Sequence, residues 1–384
     1  MISRRGFLIG AGAAGAAAVT ASFRPWTLAA SSVTSARSGP LVIVSLYGGN
    51  DGINTVIPVA DSAYHAARPT LGYSAGEVLE LSDGLALNSQ LKGLEGLWKA
   101  GHLAIVRGVG YPNPNLSHFA SMDIWQTANP VDGTGPGWLG RWLDLTGSDP
   151  LRAVSVGATL PPMLRGAKQS ATAVTSTEIT LPALVEPALD ALCAAGSDRT
   201  GVLADVAQSG ADLVQVRSQL DALHAGQTGA STDLSGQLGI VAALINAGAP
   251  TQVYQVSLSS FDTHADEKAS HERLLSTLDR AVSGFFQAVH APAILMTFSE
   301  FGRRPAENAS GGTDHGTAAP LFVAGHTVKG GFYGEEPSLT SLDANGNLVH
   351  TVDFRSVYAT VLEHVLGVDP VSVLAGRFTP LPFV

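Results

Sequence analysis

Leu41-Val-Ile-Val-Ser-Leu46, followed at once by Gly48-Gly-Asn-Asp-Gly52, decides the fold class. A nearly continuous apolar run without polar alternation reads as a strand buried on both faces, the habit of a parallel sheet covered by helices. The Gly-rich turn after it carries a carboxylate at the strand's carboxyl end, where open α/β sheets build ligand sites. Comparable apolar runs occupy residues 103–109, 253–258, 293–298 and 321–325. Helical patterns lie between them at 88–100, 117–126, 203–225, 237–247 and 269–290. Strands alternating with helices predict a single α/β domain over residues 38–384, with a mostly parallel central sheet and helices on both faces. Residues 160–250 read as a mostly helical insertion without a strong strand, and the Gly/Ser/Thr tract at 226–235 as a loop.

The chain has 384 residues, 45% hydrophobic and only 14% charged, which supplies a sizeable core and excludes a disordered chain. Its formal net charge of −10 argues against nucleic acid as a partner, because that needs a basic stripe. The single cysteine, Cys193, lies in a mostly apolar run and reads as a buried packing residue.

Residues 1–30 carry Arg4, Arg5 and Arg24 and no acid, then an Ala/Gly-rich apolar stretch ending in small residues at Ala29 and Ala30. Ser3-Arg4-Arg5-Gly6-Phe7-Leu8 looks like a twin-arginine export signal. Its apolar stretch is shorter than the roughly 20 residues a membrane span needs. The reading is a signal peptide, a periplasmic or extracellular destination, and the twin-arginine translocation machinery as a partner. No transmembrane segment is expected after signal removal.

Polar residues gather where strands end. Asp51 follows the first run, Asp262 and His264 the third, and Ser299 and Glu300 the fourth; Asp314 and His315 precede the fifth. Parallel strand direction brings the first three groups to one end of the sheet. The last joins them only through a long loop or an antiparallel strand. Carboxylates and imidazoles together suit a divalent transition metal such as Zn, Mn or Fe, as one or two ions. Each residue has an ordinary alternative: Asp51 as a turn cap, His264 as a surface histidine, Glu300 paired with Arg303 or Arg304, and Asp314 as a turn residue. After the second run, Tyr111-Pro-Asn-Pro-Asn-Leu-Ser-His-Phe119 leads into a helix. Ser117 falls at its N-cap, either as an ordinary cap or as a nucleophile near the positive end of the helix dipole. His118 is a ligand or general-acid candidate, and His271 a further ligand candidate.

With Gly48-Gly-Asn-Asp-Gly52, Tyr111-Pro-Asn-Pro-Asn115, Ser117-His-Phe119, Phe261-Asp-Thr-His264, Thr297-Phe-Ser-Glu-Phe-Gly-Arg303, Gly311-Gly-Thr-Asp-His-Gly-Thr317 and Val352-Asp-Phe-Arg-Ser-Val-Tyr358, the chain resembles the exported DUF1501 family over nearly its whole mature length. That family is similar in outline to the alkaline phosphatase and sulfatase superfamily. The resemblance implies an alkaline phosphatase-like fold, with Asp51, Asp262, His264, Glu300, Asp314 and His315 as metal ligands or their supports. It also implies Ser117 as nucleophile, with His118 beside it and Arg303 as a clamp on the oxygens of an anionic small-molecule or polymer substrate. This chain has Ser299-Glu300 where the superfamily has Asp-His, and a closer Asp262 to His264 spacing. The activity implied is metal-dependent hydrolysis of phosphate or sulfate esters. The alternative is a non-catalytic periplasmic or envelope binding protein that keeps the fold. An assembly role finds no heptads, repeats or long basic tract to support it.

Overall fold

The first apolar run forms β1 (Leu41–Leu46), every residue of which is buried. Its alternate side chains serve two cores. Leu41 and Ile43 pack with Trp125, Trp138 and Tyr358 on one face, while Val42 and Val44 pack with Val241, Leu275 and Val282 on the other. A strand buried on both faces has no solvent side to make polar, so its sequence shows no alternation. The computed structural model describes residues 39–147, 149–179, 185–196, 201–223 and 232–384. The export-signal reading, and residues 226–231 of the Gly/Ser/Thr tract, lie outside the described residues.

A small antiparallel sheet of β2 (Val56–Ile57), β3 (Val78–Glu80) and β4 (Ala86–Asn88) follows β1. The main sheet adds β5 (Leu103–Gly110), β6 (Ala153–Val156), β7 (Thr172–Val174), β8 (Val253–Leu258) and β9 (Ile294–Ser299). A two-stranded ribbon of β10 (Arg303–Glu307) and β11 (Thr313–His315) then leads to β12 (Ala319–Ala324), β13 (Gly331–Tyr333) and β14 (Val352–Asp353). The order across the main sheet is β13-β5-β12-β9-β1-β8-β6-β7, with β14 on β5. The short strand β7 widens the sheet from within the stretch expected to be helical. Its three residues are too few to leave a periodic signature.

The helices are α1 (Ser62–Ala67), α2 (Lys92–Lys99), α3 (His118–Thr127), α4 (Trp138–Thr146), α5 (Glu186–Gly196), α6 (Val202–Leu223), α7 (Leu234–Asn246), α8 (Glu267–Ala288), α9 (Phe354–His364) and α10 (Pro370–Leu374). Helices α3, α4, α9 and α10 cover one face, and α2, α6, α7 and α8 the other. The expected mostly parallel sheet with helices on both faces is the observed architecture. No helix among the described residues is long and apolar enough to cross a membrane. Cys193 is half-buried on α5 rather than fully buried, close to Gly210 of α6.

Strand direction places the site. β1 runs parallel to β8 and β9, whereas β12 is antiparallel to both β9 and β5. Two reversals leave β5 pointing the same way as β9. The segments after β1, β5, β8 and β9 and the segment before β12 therefore meet at one end of the sheet. The antiparallel course of β12 is what brings Asp314 and His315 there.

Candidate metal centre

Three imidazoles surround one carboxylate oxygen at this end. Asp262 Oδ1 lies 2.9 Å from His264 Nε2 and 3.3 Å from both His118 Nε2 and His315 Nε2. His264 Nε2 and His315 Nε2 are 2.9 Å apart. His118, Asp262 and His315 each offer a ligand atom within 4.8 Å of the others. The residues come from the start of α3, the segment after β8 and the end of β11.

Each ring is held from behind. His118 Nδ1 is 2.8 Å from Glu300 Oε1, and His315 Nδ1 is 2.7 Å from the Leu116 carbonyl. Both partners are acceptors, so each Nδ1 donates its proton and Nε2 is the nitrogen that faces Asp262. His264 Nδ1 faces Asp314 Oδ1 at 3.5 Å. The ring of Phe301 packs against those of His118 and His315, at 4.8 Å between centroids in each case. Among the described residues, His118 Nε2 is buried and has no hydrogen-bond partner. Two imidazole Nε2 atoms converge on a carboxylate oxygen that also accepts from Arg303. This donor set fits a divalent transition ion.

Glu300 pairs with neither Arg303 nor Arg304. Its Oε1 also accepts the Gly48 N–H at 2.8 Å, and its Oε2 the Ser299 hydroxyl at 3.1 Å. The Glu300 carbonyl accepts from Ser121 Oγ at 2.6 Å, and Ser121 lies 2.7 Å from the Tyr111 hydroxyl. Sequence reasoning passed over Tyr111, Ser121 and Phe301, whose roles arise only through contacts across the fold.

Arg303 does not stand as a clamp. It is only 1% exposed, and its donors reach the carbonyls of Gly48, Gly49, Phe261 and Thr313, as well as Asp262 Oδ1 at 2.7 Å. It ties the loops after β1 and β8 to the ribbon, where it pairs with His315 in register. Burial alone would raise the Asp262 carboxyl, but the hydrogen bond and charge of Arg303, with His264 beside it, hold it down to about 2. Burial lowers the His315 imidazole, and the nearby Arg303 and His118 lower it further.

Asp51 lies apart from this cluster. Its carboxylate is fully buried and bound by both terminal nitrogens of Arg68, which also donates to the Pro305 and Arg304 carbonyls. Glu267 and His271 complete a second buried group around it. Burial opposes ionisation of Asp51, and Arg68 overrides it, holding the carboxyl far below the usual range. Glu267 is pushed up to about 9 by burial and then by the Asp51 charge, and so keeps its proton. Burial lowers His271 to about 4; its Nε2 meets Asn50 Oδ1 at 3.0 Å. His271 therefore belongs with Asp51 and not with His264. Arg68 and Glu267 had no signal in the sequence.

Ser117 is the N-cap of α3, but its side chain makes no capping bond and is exposed. It sits between Leu116, which holds His315, and His118. Beside His118, Asp262 and Glu300 a cavity of about 410 Å³ opens, walled by Tyr47, Phe119, Met122 and Pro162. Ser260 on its rim has φ of +84°, a conformation costly for a residue with a side chain.

The model of the DUF1501 family, described as a protein of unknown function, matches residues 102–378. No curated protein matches the chain. Among solved structures, the chain is similar to a protein in the alkaline phosphatase superfamily from Vibrio parahaemolyticus. The identity is 11% and the TM-score 0.42, with 90% of this chain and 72% of that one covered. It is also similar to the C-terminal periplasmic domain of EcEptC from Escherichia coli, at 10% identity and a TM-score of 0.42, with 87% and 86% covered.

Proposed function

The chain belongs to the DUF1501 family, and we propose that it is an exported, metal-dependent hydrolase of phosphate or sulfate esters. The observation that carries this reading is the convergence of His118 Nε2 and His315 Nε2 on Asp262 Oδ1, with both Nδ1 protons committed elsewhere. His118, Asp262 and His315, with His264 beside them, would hold the ion. A bound divalent ion supplies Lewis-acid charge to an ester oxygen.

The chain's own residues do the rest. Glu300 and the Leu116 carbonyl fix the two imidazoles in the tautomer that leaves Nε2 free. Arg303 keeps Asp262 ionised and the surrounding loops in place. Ser117, whose hydroxyl is not spent on capping, is the candidate nucleophile at the N-terminus of α3. Arg4 and Arg5 are the proposed export determinant, and replacing both with Lys should strand the protein in the cytoplasm.

A second reading, a binding protein without turnover, is favoured by the confinement of Arg303 and the removal of Asp51 into a separate ion pair. One experiment separates the two. Elemental analysis of the mature protein and of a His118→Ala, His315→Ala double variant is followed by a panel of phosphate and sulfate esters. Stoichiometric metal lost in the variant, with turnover that Ser117→Ala abolishes, supports the hydrolase. Bound metal without turnover supports the binding protein. No bound metal in a folded protein sinks both forms of the metal centre.

A further inference from the structure

The wall of the cavity beside the cluster carries a phenol whose proton is unspent. Tyr47 is the residue after β1, and its backbone is fixed on both sides. Its N–H donates to the Leu258 carbonyl at 2.9 Å, and its carbonyl accepts from the Phe261 N–H at 3.1 Å. The next residue, Gly48, donates to Glu300 Oε1, the oxygen that also holds His118. Tyr47 and Gln126 line the cavity together with His118, Asp262 and Glu300, so the phenol stands where the cavity meets the cluster.

Gln126 sets the direction of that hydroxyl. It is only 3% exposed, and its Oε1 accepts from the Met163 N–H at 3.1 Å. A backbone N–H can only donate, so the amide oxygen must face Met163. Its Nε2 then faces Tyr47, 3.4 Å from the phenol oxygen. Tyr47 accepts from Gln126 and has no acceptor there for its own proton. Among the described residues that proton reaches no partner, whereas Tyr64, Tyr73, Tyr333 and Tyr358 each donate theirs. Burial, and then the Glu300 charge, hold the phenol above its ordinary range, so it keeps the proton. A donor already aimed and already free costs no reorganisation when a substrate oxygen arrives.

We infer that Tyr47, oriented by Gln126, donates a hydrogen bond to the bridging oxygen of the ester, the atom between an oxyanion at the cluster and an organic group in the cavity. The inference rests on the hydrolase reading for the identity of the ester, but the hydrogen bond can be read from binding without turnover. Tyr47 gives up no proton in this role, because a phenolate beside Glu300 is disfavoured.

The test uses the mature protein, with its metal content measured, and two isosteric pairs of probes. Phenyl phosphate is set against benzylphosphonate, and phenyl sulfate against benzylsulfonate; each second member has a methylene in place of the bridging oxygen. In a Ser117→Ala background, calorimetry should show the oxygen-bridged member held about two- to tenfold tighter, the worth of one neutral hydrogen bond. Tyr47→Phe should erase that preference with metal content unchanged. Gln126→Met, which leaves the hydroxyl free to turn, should shrink it. Where the parent protein hydrolyses the ester, Tyr47→Phe should lower kcat by about 100-fold, since charge builds on that oxygen as its bond breaks. Equal binding within both pairs, no binding of any probe, or a preference that survives Tyr47→Phe would overturn the Tyr47 donor. A preference erased by Tyr47→Phe in a protein without turnover would instead count against the hydrolase reading alone.

Discussion

Glu300 Oε1 accepts from His118 Nδ1 and from the Gly48 N–H, each at 2.8 Å, so one buried carboxylate oxygen joins the loop after β1 to the first turn of α3. Removing it should loosen the imidazole without unfolding the sheet. Glu300→Ala should weaken metal binding by about 10–100-fold, the usual penalty for losing the partner of a ligating histidine. Glu300→Gln keeps an acceptor oxygen and should lose less. Competition against a chelator of known affinity measures both, and an unchanged affinity in Glu300→Ala would remove Glu300 from the centre.

Gly48 has φ of +116°, and a Cβ there would stand 2.5 Å from the Asp262 backbone nitrogen. Backbone cannot yield as a flexible side chain can. Gly48→Ala should cost at least ~1–3 kcal/mol through the positive φ alone, and should displace Asp262 from the imidazoles. Urea unfolding reports the first effect and metal content the second.

Arg68 and Asp51 are both fully buried and bound to each other through two hydrogen bonds. Arg68→Met leaves a buried unpaired carboxylate and should destabilise by about 3–5 kcal/mol. The Arg68→Met, Asp51→Leu double variant should recover much of that loss. Metal content should stay constant in whatever fraction folds, because Asp51 lies outside the centre. Loss of the ion in a folded Asp51→Asn protein would return Asp51 to the ligand set.

Glu267 keeps its proton up to about pH 9 in the fold, whereas an unfolded chain releases it near pH ~4.3. Across that window the folded state binds more protons than the unfolded one, so this group makes stability fall as pH rises. Glu267→Gln mimics the protonated form and should remove that slope. Denaturation midpoints between about pH 5 and 9 check the sign. Identical slopes for the two proteins would show that Glu267 ionises normally.

Burial on both faces of β1 was legible because a strand without a solvent side has no reason to alternate, and local composition records local burial. The same holds for the helix–strand alternation and for the short Asp262-Thr263-His264 and Asp314-His315 pairs, whose neighbours in sequence are neighbours in space. Only the tertiary structure decided which of these groups meet. The antiparallel course of β12 carries His315 to the end of the sheet where β8 and β9 finish. His118 finds Glu300 from 182 residues away, and Arg68 binds Asp51 through both of its terminal nitrogens. Arg303, which reads in sequence as a clamp on an anion or a partner of Glu300, spends its donors on four carbonyls, from two loops and the ribbon strand β11, and on one carboxylate. Such pairings depend on chain direction and on competition among buried charges, and neither leaves a mark on the periodicity of the chain.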